Sequence, residues 1–94
     1  MAIIRIVRPP ITAEIYDAVN EKAGVADNPP EGLIMHTAGE VDGQWQIVDV
    51  WESEADAERF GTERLGPALE AVMGGTPPGP PPTTVYELHN LNRP

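Results

Sequence analysis

The side chains best suited to chemistry lie on two strand-like runs in the middle of this 94-residue chain. His36 belongs to the run that starts at Gly32, and Asp49 belongs to the run that ends at Glu52. A histidine in an apolar pocket titrates near neutral pH, and a carboxyl group among apolar side chains has a raised pKa. We therefore predict that His36 and Asp49 are catalytic, with either one acting as a general base towards a phenol.

Aromatic side chains supply the predicted binding surface. Trp51 shares a strand face with Asp49 and would stack on a flat aromatic ligand, although filling the core beside Phe60 is an equally good interpretation. Trp45 lies next to a turn, where partial exposure or a dimer contact is expected. Hydroxyl and ring N–H groups elsewhere can bond a substrate oxygen. The predicted substrate-binding residues are Trp51, Tyr16, Phe60, Tyr86 and His89.

Structural roles for the polar candidates stay open at this point. A salt bridge to Arg5 or Arg8 in the first strand would also explain a carboxylate at Asp49. His36 is the better functional candidate of the two histidines, because the central hairpin should line the pocket. Two histidines without a third ligand make a poor zinc site, so we expect no metal and no cofactor.

Composition excludes several classes of function. Six Lys and Arg against fifteen Asp and Glu give a formal net charge of −9, which repels nucleic acid and anionic membranes. A single serine and the lack of a glycine-rich phosphate loop argue against a serine hydrolase and a nucleotide site. No run is apolar enough to span a membrane, and no cysteine is present. A cytoplasmic protein is expected.

The elements that position these residues follow from spacing and from helix and turn signals. In chain order they are a strand over 2–7, a helix between the cap Thr12 and Gly24, a hairpin over 32–52 turning at Asp42-Gly43, a helical region from the cap Ser53 to Gly74-Gly75, and a strand over 83–91. Gly66-Pro67 should break or offset the second helix. Residues 76–82 are predicted to form a Pro-rich surface loop.

This order is the β-α-β-β-α-β pattern of a ferredoxin-like α+β fold, with an antiparallel sheet in the order 4-1-3-2 and both helices on one face. Residues 1–94 then form a single domain. The hairpin strands are apolar on both faces, so the sheet face without helices needs a cover. We predict a homodimer.

Three segments together resemble the dimeric α+β barrel superfamily, on its antibiotic biosynthesis monooxygenase-like side. They are Gly32–His36, the strand-to-helix junction Val50–Ser53, and the helix Phe60–Leu69. The resemblance implies a homodimer whose two sheets pack into a barrel, with a pocket between sheet and helices in each protomer. Pockets of characterised relatives take planar aromatic polyketides, quinols or haem. Some relatives oxidise their substrate with molecular oxygen alone, and others isomerise, cyclise or only bind.

The monooxygenase branch of that family uses an Asn, a Trp and a distal Arg. Trp51 matches the Trp, whereas Ile47 stands where the Asn would be, and the last strand offers no Arg. Two functions stay open: a cofactor-independent monooxygenase, cyclase or isomerase acting on an aromatic polyketide-like substrate, and a non-catalytic binding protein for a hydrophobic or haem-like ligand. Either one binds a small hydrophobic or aromatic molecule.

Overall fold

The computed structural model describes residues 1–75 and 81–93. Its elements are β1 (Ile3–Val7), α1 (Ala13–Ala23), β2 (Leu33–Val41), β3 (Gln44–Trp51), α2 (Glu54–Phe60), a π-helical segment (Gly61–Leu65), α3 (Gly66–Met73) and β4 (Thr83–Glu87). Residues 76–80 of the predicted Pro-rich loop lie outside the described residues. None of the described helices is long and apolar enough to cross a membrane.

The four strands form one antiparallel sheet in the order β2-β3-β1-β4. This confirms the predicted ferredoxin-like α+β fold and its strand order. The last strand ends at Glu87 rather than at Leu91. One further backbone bond, from Leu88 N–H to Ala2 O at 2.9 Å, follows its end. His89 therefore lies beyond the strand and is exposed.

The central hairpin turns at Asp42 and Gly43, which have φ angles of 52° and 79°. Positive φ at both central residues is the geometry of the predicted tight primed turn. A two-residue turn fixes the pairing along both arms, so that Val41 lies opposite Gln44 and His36 opposite Asp49. An irregularity between Leu33 and Met35 then shifts the register by one residue.

The helices begin at the predicted caps. The Thr12 side chain accepts a hydrogen bond from Ile15 N–H at 3.2 Å, and the Ser53 side chain accepts one from Asp56 N–H at 3.2 Å. The first helix ends at Gly24, whose φ of 70° is left-handed.

The predicted offset at Gly66-Pro67 takes the form of a π-helical segment between α2 and α3. Proline has no N–H, and its ring crowds the carbonyl group four residues earlier. The helix widens at this point, and Gly66 N–H donates to the carbonyl group of Gly61. Arg64 in this segment donates to the carbonyl group of Ala23 from Nε at 3.1 Å, which ties the segment to the end of α1.

Two apolar clusters form the core, one between the sheet and α2 and the other between the helices. Trp51 is 1% exposed and packs with Ile3 and Ala57, while Val19, Ala23 and Ala68 form the second cluster between α1 and α3. Phe60 contacts both clusters, and its ring centroid lies 5.6 Å from that of Trp51. The core interpretation of Trp51 is therefore the correct one.

None of the helices within residues 1–75 and 81–93 lies on the other face of the sheet. Ile4 and Ile6 of β1 lie on this face, since Ile3, Arg5 and Val7 face the helices. They pair with Val50 and Val48 on β3, which makes an apolar row across the middle of the sheet. Nearer its margins, Met35 is 47% exposed and Tyr86 is 50% exposed.

Candidate functional site

A cavity of about 240 Å³ lies between the sheet and the helices. Its walls are mainly apolar and come from both layers: Val7 and Ile47 from the sheet, and Ile11, Ile15, Val19, Phe60, Leu65 and Leu69 from the helical side. For scale, an engineered apolar cavity of about 150 Å³ holds benzene. The size suits an apolar body of one or two rings.

Polar side chains are concentrated on one part of this cavity. His36 and Asp49 face each other across the hairpin, and His36 Nδ1 lies 2.5 Å from Asp49 Oδ1. An ionised carboxylate only accepts hydrogen bonds, so Nδ1 carries the proton that is donated to Asp49. Asp49 is 8% exposed, and this bond offsets part of the energy of burying its charge.

Tyr16 extends the pair into a chain of three groups. Its hydroxyl oxygen lies 2.6 Å from His36 Nε2, and the side chain reaches the sheet from the middle of α1. Its ring is stacked on that of Trp45, with centroids 5.4 Å apart and planes 16° apart. Trp45 is half-buried, so this contact holds the phenol against the histidine.

The surroundings shift the pKa values of His36 and Tyr16. The hydrogen bond that His36 donates to Asp49 raises the pKa of His36 above its ordinary value, against a smaller opposing effect of burial. Burial, followed by the negative charges of Asp49 and Asp17, raises the pKa of Tyr16. Tyr16 therefore stays a neutral phenol. It donates to Nε2 when His36 is neutral, and it accepts from Nε2–H when His36 is protonated.

This arrangement is able to accept a proton from a bound molecule. A substrate hydroxyl at Tyr16 can pass its proton to the phenol oxygen while Tyr16 passes its own proton to His36 Nε2. The carboxylate of Asp49 stabilises the resulting imidazolium and keeps the ring in position. The reverse transfer returns the proton to the bound molecule. Protonated His36 gives a proton to Tyr16, and Tyr16 gives its own proton to the bound molecule.

Of the predicted site residues, the structure brings His36, Asp49, Tyr16 and Phe60 to one cavity. The other three predicted substrate-binding residues, Trp51, Tyr86 and His89, are not among its lining residues. Trp51 is a core residue, Tyr86 lies on the sheet face without helices, and His89 is exposed beyond β4. Their assignment to a substrate pocket stays a prediction that this cavity does not support.

Sequence analysis missed two features of the site. Asp49 binds His36, and no ion pair joins it to Arg5 or Arg8 within residues 1–75 and 81–93. The two-residue turn was the available signal, because it places His36 directly opposite Asp49. Trp45 stacks on Tyr16, and nothing in the sequence pattern indicates that contact.

In the described structure, His36 is already engaged on both sides and does not belong to a cluster of metal ligands. Residues 1–75 and 81–93 contain no cluster of three or more His, Asp or Glu side chains able to hold a metal ion. Both ring nitrogens of His36 are occupied by Tyr16 and Asp49, so iron ligation would require one of these bonds to break. A tetrapyrrole also needs far more space than a cavity suited to one or two rings.

Comparison with known proteins finds solved structures with the same fold. No protein-family model matches the sequence, and no curated protein matches it. A haem-degrading protein from Mycobacterium tuberculosis superposes with a TM-score of 0.61 at 15% identity, covering 99% of this chain and 100% of that chain. A candidate antibiotic biosynthesis monooxygenase from Caulobacter crescentus gives a TM-score of 0.64 at 18% identity, covering 95% and 89%.

A third solved structure is a mutant of a cofactor-independent oxygenase from Streptomyces nogalater. It superposes with a TM-score of 0.55 at 14% identity, covering 96% of this chain and 92% of that chain. Together these structures confirm the predicted resemblance at the level of fold. The chain has the ferredoxin-like α+β fold of these solved structures. Such a shared fold hosts different chemistries.

Proposed function

We propose that this chain is a cofactor-independent enzyme that deprotonates a small aromatic substrate bound between its sheet and helices. The observation that carries the proposal is the hydrogen-bonded chain of Tyr16, His36 and Asp49 at the wall of an apolar cavity. A buried carboxylate that orients a histidine, with a phenol on its other nitrogen, is suited to moving protons. The fold, shared with a cofactor-independent oxygenase, supports the same class of chemistry.

The reaction begins with loss of a proton from a phenol, or from the enol form of a ketone, to the chain of three groups. The electron-rich anion then reacts with molecular oxygen at carbon, and the hydroperoxide formed loses water to leave a carbonyl group. For 1-naphthol, a two-ring phenol, the balance is one naphthol and one O₂ giving one 1,4-naphthoquinone and one water. The protein contributes the base and a cavity that excludes bulk water.

A homodimer is part of the proposal. Ile4, Ile6 and Val48 are half-buried and Met35 is exposed on a sheet face that none of the described helices covers, whereas Val50 in the same row is already buried within the protomer. Burial of apolar surface contributes roughly 25 cal/mol per Å², so a second copy of this face would be a suitable cover. The predicted cytoplasmic location and the single domain over 1–94 also belong to the proposal.

A non-catalytic binding protein for a hydrophobic ligand is the second candidate. The mainly apolar walls of the cavity favour it, since they would hold an aromatic molecule without any reaction. The occupied nitrogens of His36 and the size of the cavity favour a small aromatic ligand over haem.

Oxygen uptake and ligand binding, measured on the same variants, test the proposal. 1-Naphthol and 1,4-naphthohydroquinone are titrated by Trp fluorescence, and oxygen consumption is corrected for the uncatalysed rate. His36→Gln should lower turnover by about 10²- to 10⁴-fold, because it removes the base, and should change the dissociation constant little. His89→Gln, an exposed histidine outside the cavity, is the matched control and should keep full activity.

Two results would contradict the enzyme proposal. Binding of either compound without protein-dependent oxygen uptake or conversion would leave the chain as a binding protein. Turnover that survives both His36→Gln and Asp49→Asn would show that the reaction does not use this base.

A further inference from the structure

Arg5 lines the cavity, and the proton-accepting chain of Tyr16, His36 and Asp49 does not involve it. It lies in the middle of β1, opposite Asp49 on one side and Val85 on the other. Its side chain lines the same cavity as His36 and Asp49, and it is half-buried there. In the order β2-β3-β1, the sheet therefore presents His36, Asp49 and Arg5 as one row.

The guanidinium group of Arg5 has no carboxylate bound to it within the described residues. Arg59 binds Glu31 and Asp56, and Arg93 binds Glu52, whereas no ion pair of Arg5 occurs in 1–75 or 81–93. Arginine remains protonated at any physiological pH. A half-buried cation among apolar side chains is unfavourable unless an anion pairs with it.

The neighbouring carboxylate does not fill this role. Asp49 lies directly across the strand pair from Arg5, but its Oδ1 is bonded to His36, and no guanidinium nitrogen comes within ion-pair distance of it. The cavity thus contains a cation that is available to a ligand, beside a carboxylate that is already bonded to histidine. The cavity is therefore suited to ligands that carry an anionic group.

We propose that Arg5 binds a carboxylate on the ligand, and that the ligand is a flat apolar molecule of one or two rings with a carboxylate at one end and a hydroxyl group at the other. His36 and Arg5 stand on strands separated by two inter-strand spacings, about 9–10 Å. Their side chains enter the same cavity, so a fused bicyclic ring bridges the space between the tyrosine–histidine end and the guanidinium. This inference rests on the proposed ligand-binding role of the cavity and is independent of whether oxygen is used.

Arginine is well matched to this ligand. Its planar group offers two parallel N–H donors to a carboxylate, and such charge-assisted bonds are roughly twice as strong as neutral ones. The chain has a net charge of −9, which repels anions at long range. Recognition of an acid therefore depends on this local cation rather than on the overall field of the protein.

Calorimetric titration with a matched pair of probes tests the inference. The probes are 6-hydroxy-2-naphthoate and 6-hydroxy-2-naphthamide, which share their rings and hydroxyl group and differ in charge. The wild type should bind the acid more tightly than the amide. Arg5→Gln should weaken acid binding about 10- to 100-fold and leave amide binding within about twofold, because only the acid loses a charged hydrogen-bond partner.

Two further variants complete the test. Arg8→Gln removes a positive charge just beyond β1 that does not line the cavity, and it should leave both affinities unchanged. Arg5→Lys keeps the charge without the planar pair of donors, and it should retain part of the preference for the acid. If circular dichroism shows that Arg5→Gln does not fold, the affinities of Arg5→Lys for the acid and the amide still test the role of Arg5.

The outcomes separate this inference from the proposed function. Equal affinity of the wild type for acid and amide would overturn the role of Arg5 while supporting a ligand-binding cavity. Acid binding that is unaffected by both Arg5 variants would overturn it as well. Failure of the wild type to bind either probe would contradict the ligand-binding cavity itself, and the role of Arg5 with it.

Discussion

At the scale of single residues, the site depends on what Asp49 does to His36. The carboxylate is almost fully buried, and its hydrogen bond to Nδ1 is the largest cause of the raised pKa of the imidazole. Burial of the ring acts in the opposite direction. The protonated form of His36 is therefore stabilised by its interaction with Asp49, and removal of the carboxylate should change the pKa of His36 measurably.

Asp49→Asn should lower the pKa of His36 below its wild-type value, because the effect of burial then remains without the carboxylate that opposes it. The pKa is measured from the ring proton shifts of His36 across a pH titration by NMR. Under the proposed function, the rise of activity with pH should move to lower pH in the same variant, since the base must be neutral to accept a proton.

The same raised pKa links folding stability to pH. A group with a higher pKa in the folded state contributes stability fully below its unfolded value, about 6.5, and that contribution is lost as pH rises through the folded pKa. The difference in unfolding free energy between wild type and His36→Gln should therefore shrink across that window. His89→Gln is the control, and an equal pH trend in both variants would contradict the linkage.

At the scale of elements, Gly32 joins the helix layer to the start of the hairpin. Its φ is 85°, and a Cβ atom at this position would lie 2.3 Å from Asp56 Oδ2 and 2.6 Å from Asp56 Cβ. Asp56 also receives hydrogen bonds from Ser53 and Arg59 at the beginning of α2. The close approach needs a residue without a side chain.

Gly32→Ala should destabilise the fold by about 2–3 kcal/mol, because it adds a strained backbone conformation and displaces Asp56. For a domain of this size the expected fall in Tm is about 4–8 °C per kcal/mol, measured by thermal unfolding. Gly39→Ala is the matched control on β2, where a Cβ would meet nothing within 4 Å. An equal effect of the two substitutions would show that the contact with Asp56 does not matter.

At the scale of the whole molecule, the two faces of the sheet differ in how they are covered. One face carries the helices, the core and the cavity, and the other carries an apolar row that no helix covers. Met35 belongs to this second face and is already 47% exposed in the protomer. A substitution there disturbs association more than folding, which makes it a suitable probe of the proposed homodimer.

Met35→Lys should convert the proposed dimer to a monomer, because it places a charge beside the apolar row of the interface. Sedimentation velocity at micromolar concentration measures the change. Met73→Lys is the control, since Met73 is similarly exposed at 43% but lies on α3 in the helix layer. A wild-type protein that sediments as a monomer would contradict the homodimer directly.

Local sequence signals were sufficient for most of the architecture. Thr12, Ser53 and Gly24 mark helix ends through hydrogen bonds and backbone geometry that depend on a few neighbouring residues. Asp42-Gly43 determines the register of the hairpin because a two-residue turn leaves no freedom in pairing. The partnership of His36 with Asp49 was therefore already contained in the sequence.

Only the tertiary structure decided which side chains share the cavity. Trp51 and Asp49 lie on one face of β3, yet α2 folds back over the end of the strand and buries Trp51, while Asp49 stays at the cavity. Tyr16 reaches His36 only because α1 packs across the sheet. Arg5 lines the cavity without a carboxylate partner in the described chain. Periodicity determines the face on which a residue lies, whereas packing between distant segments determines its neighbours, and no local pattern specifies that packing.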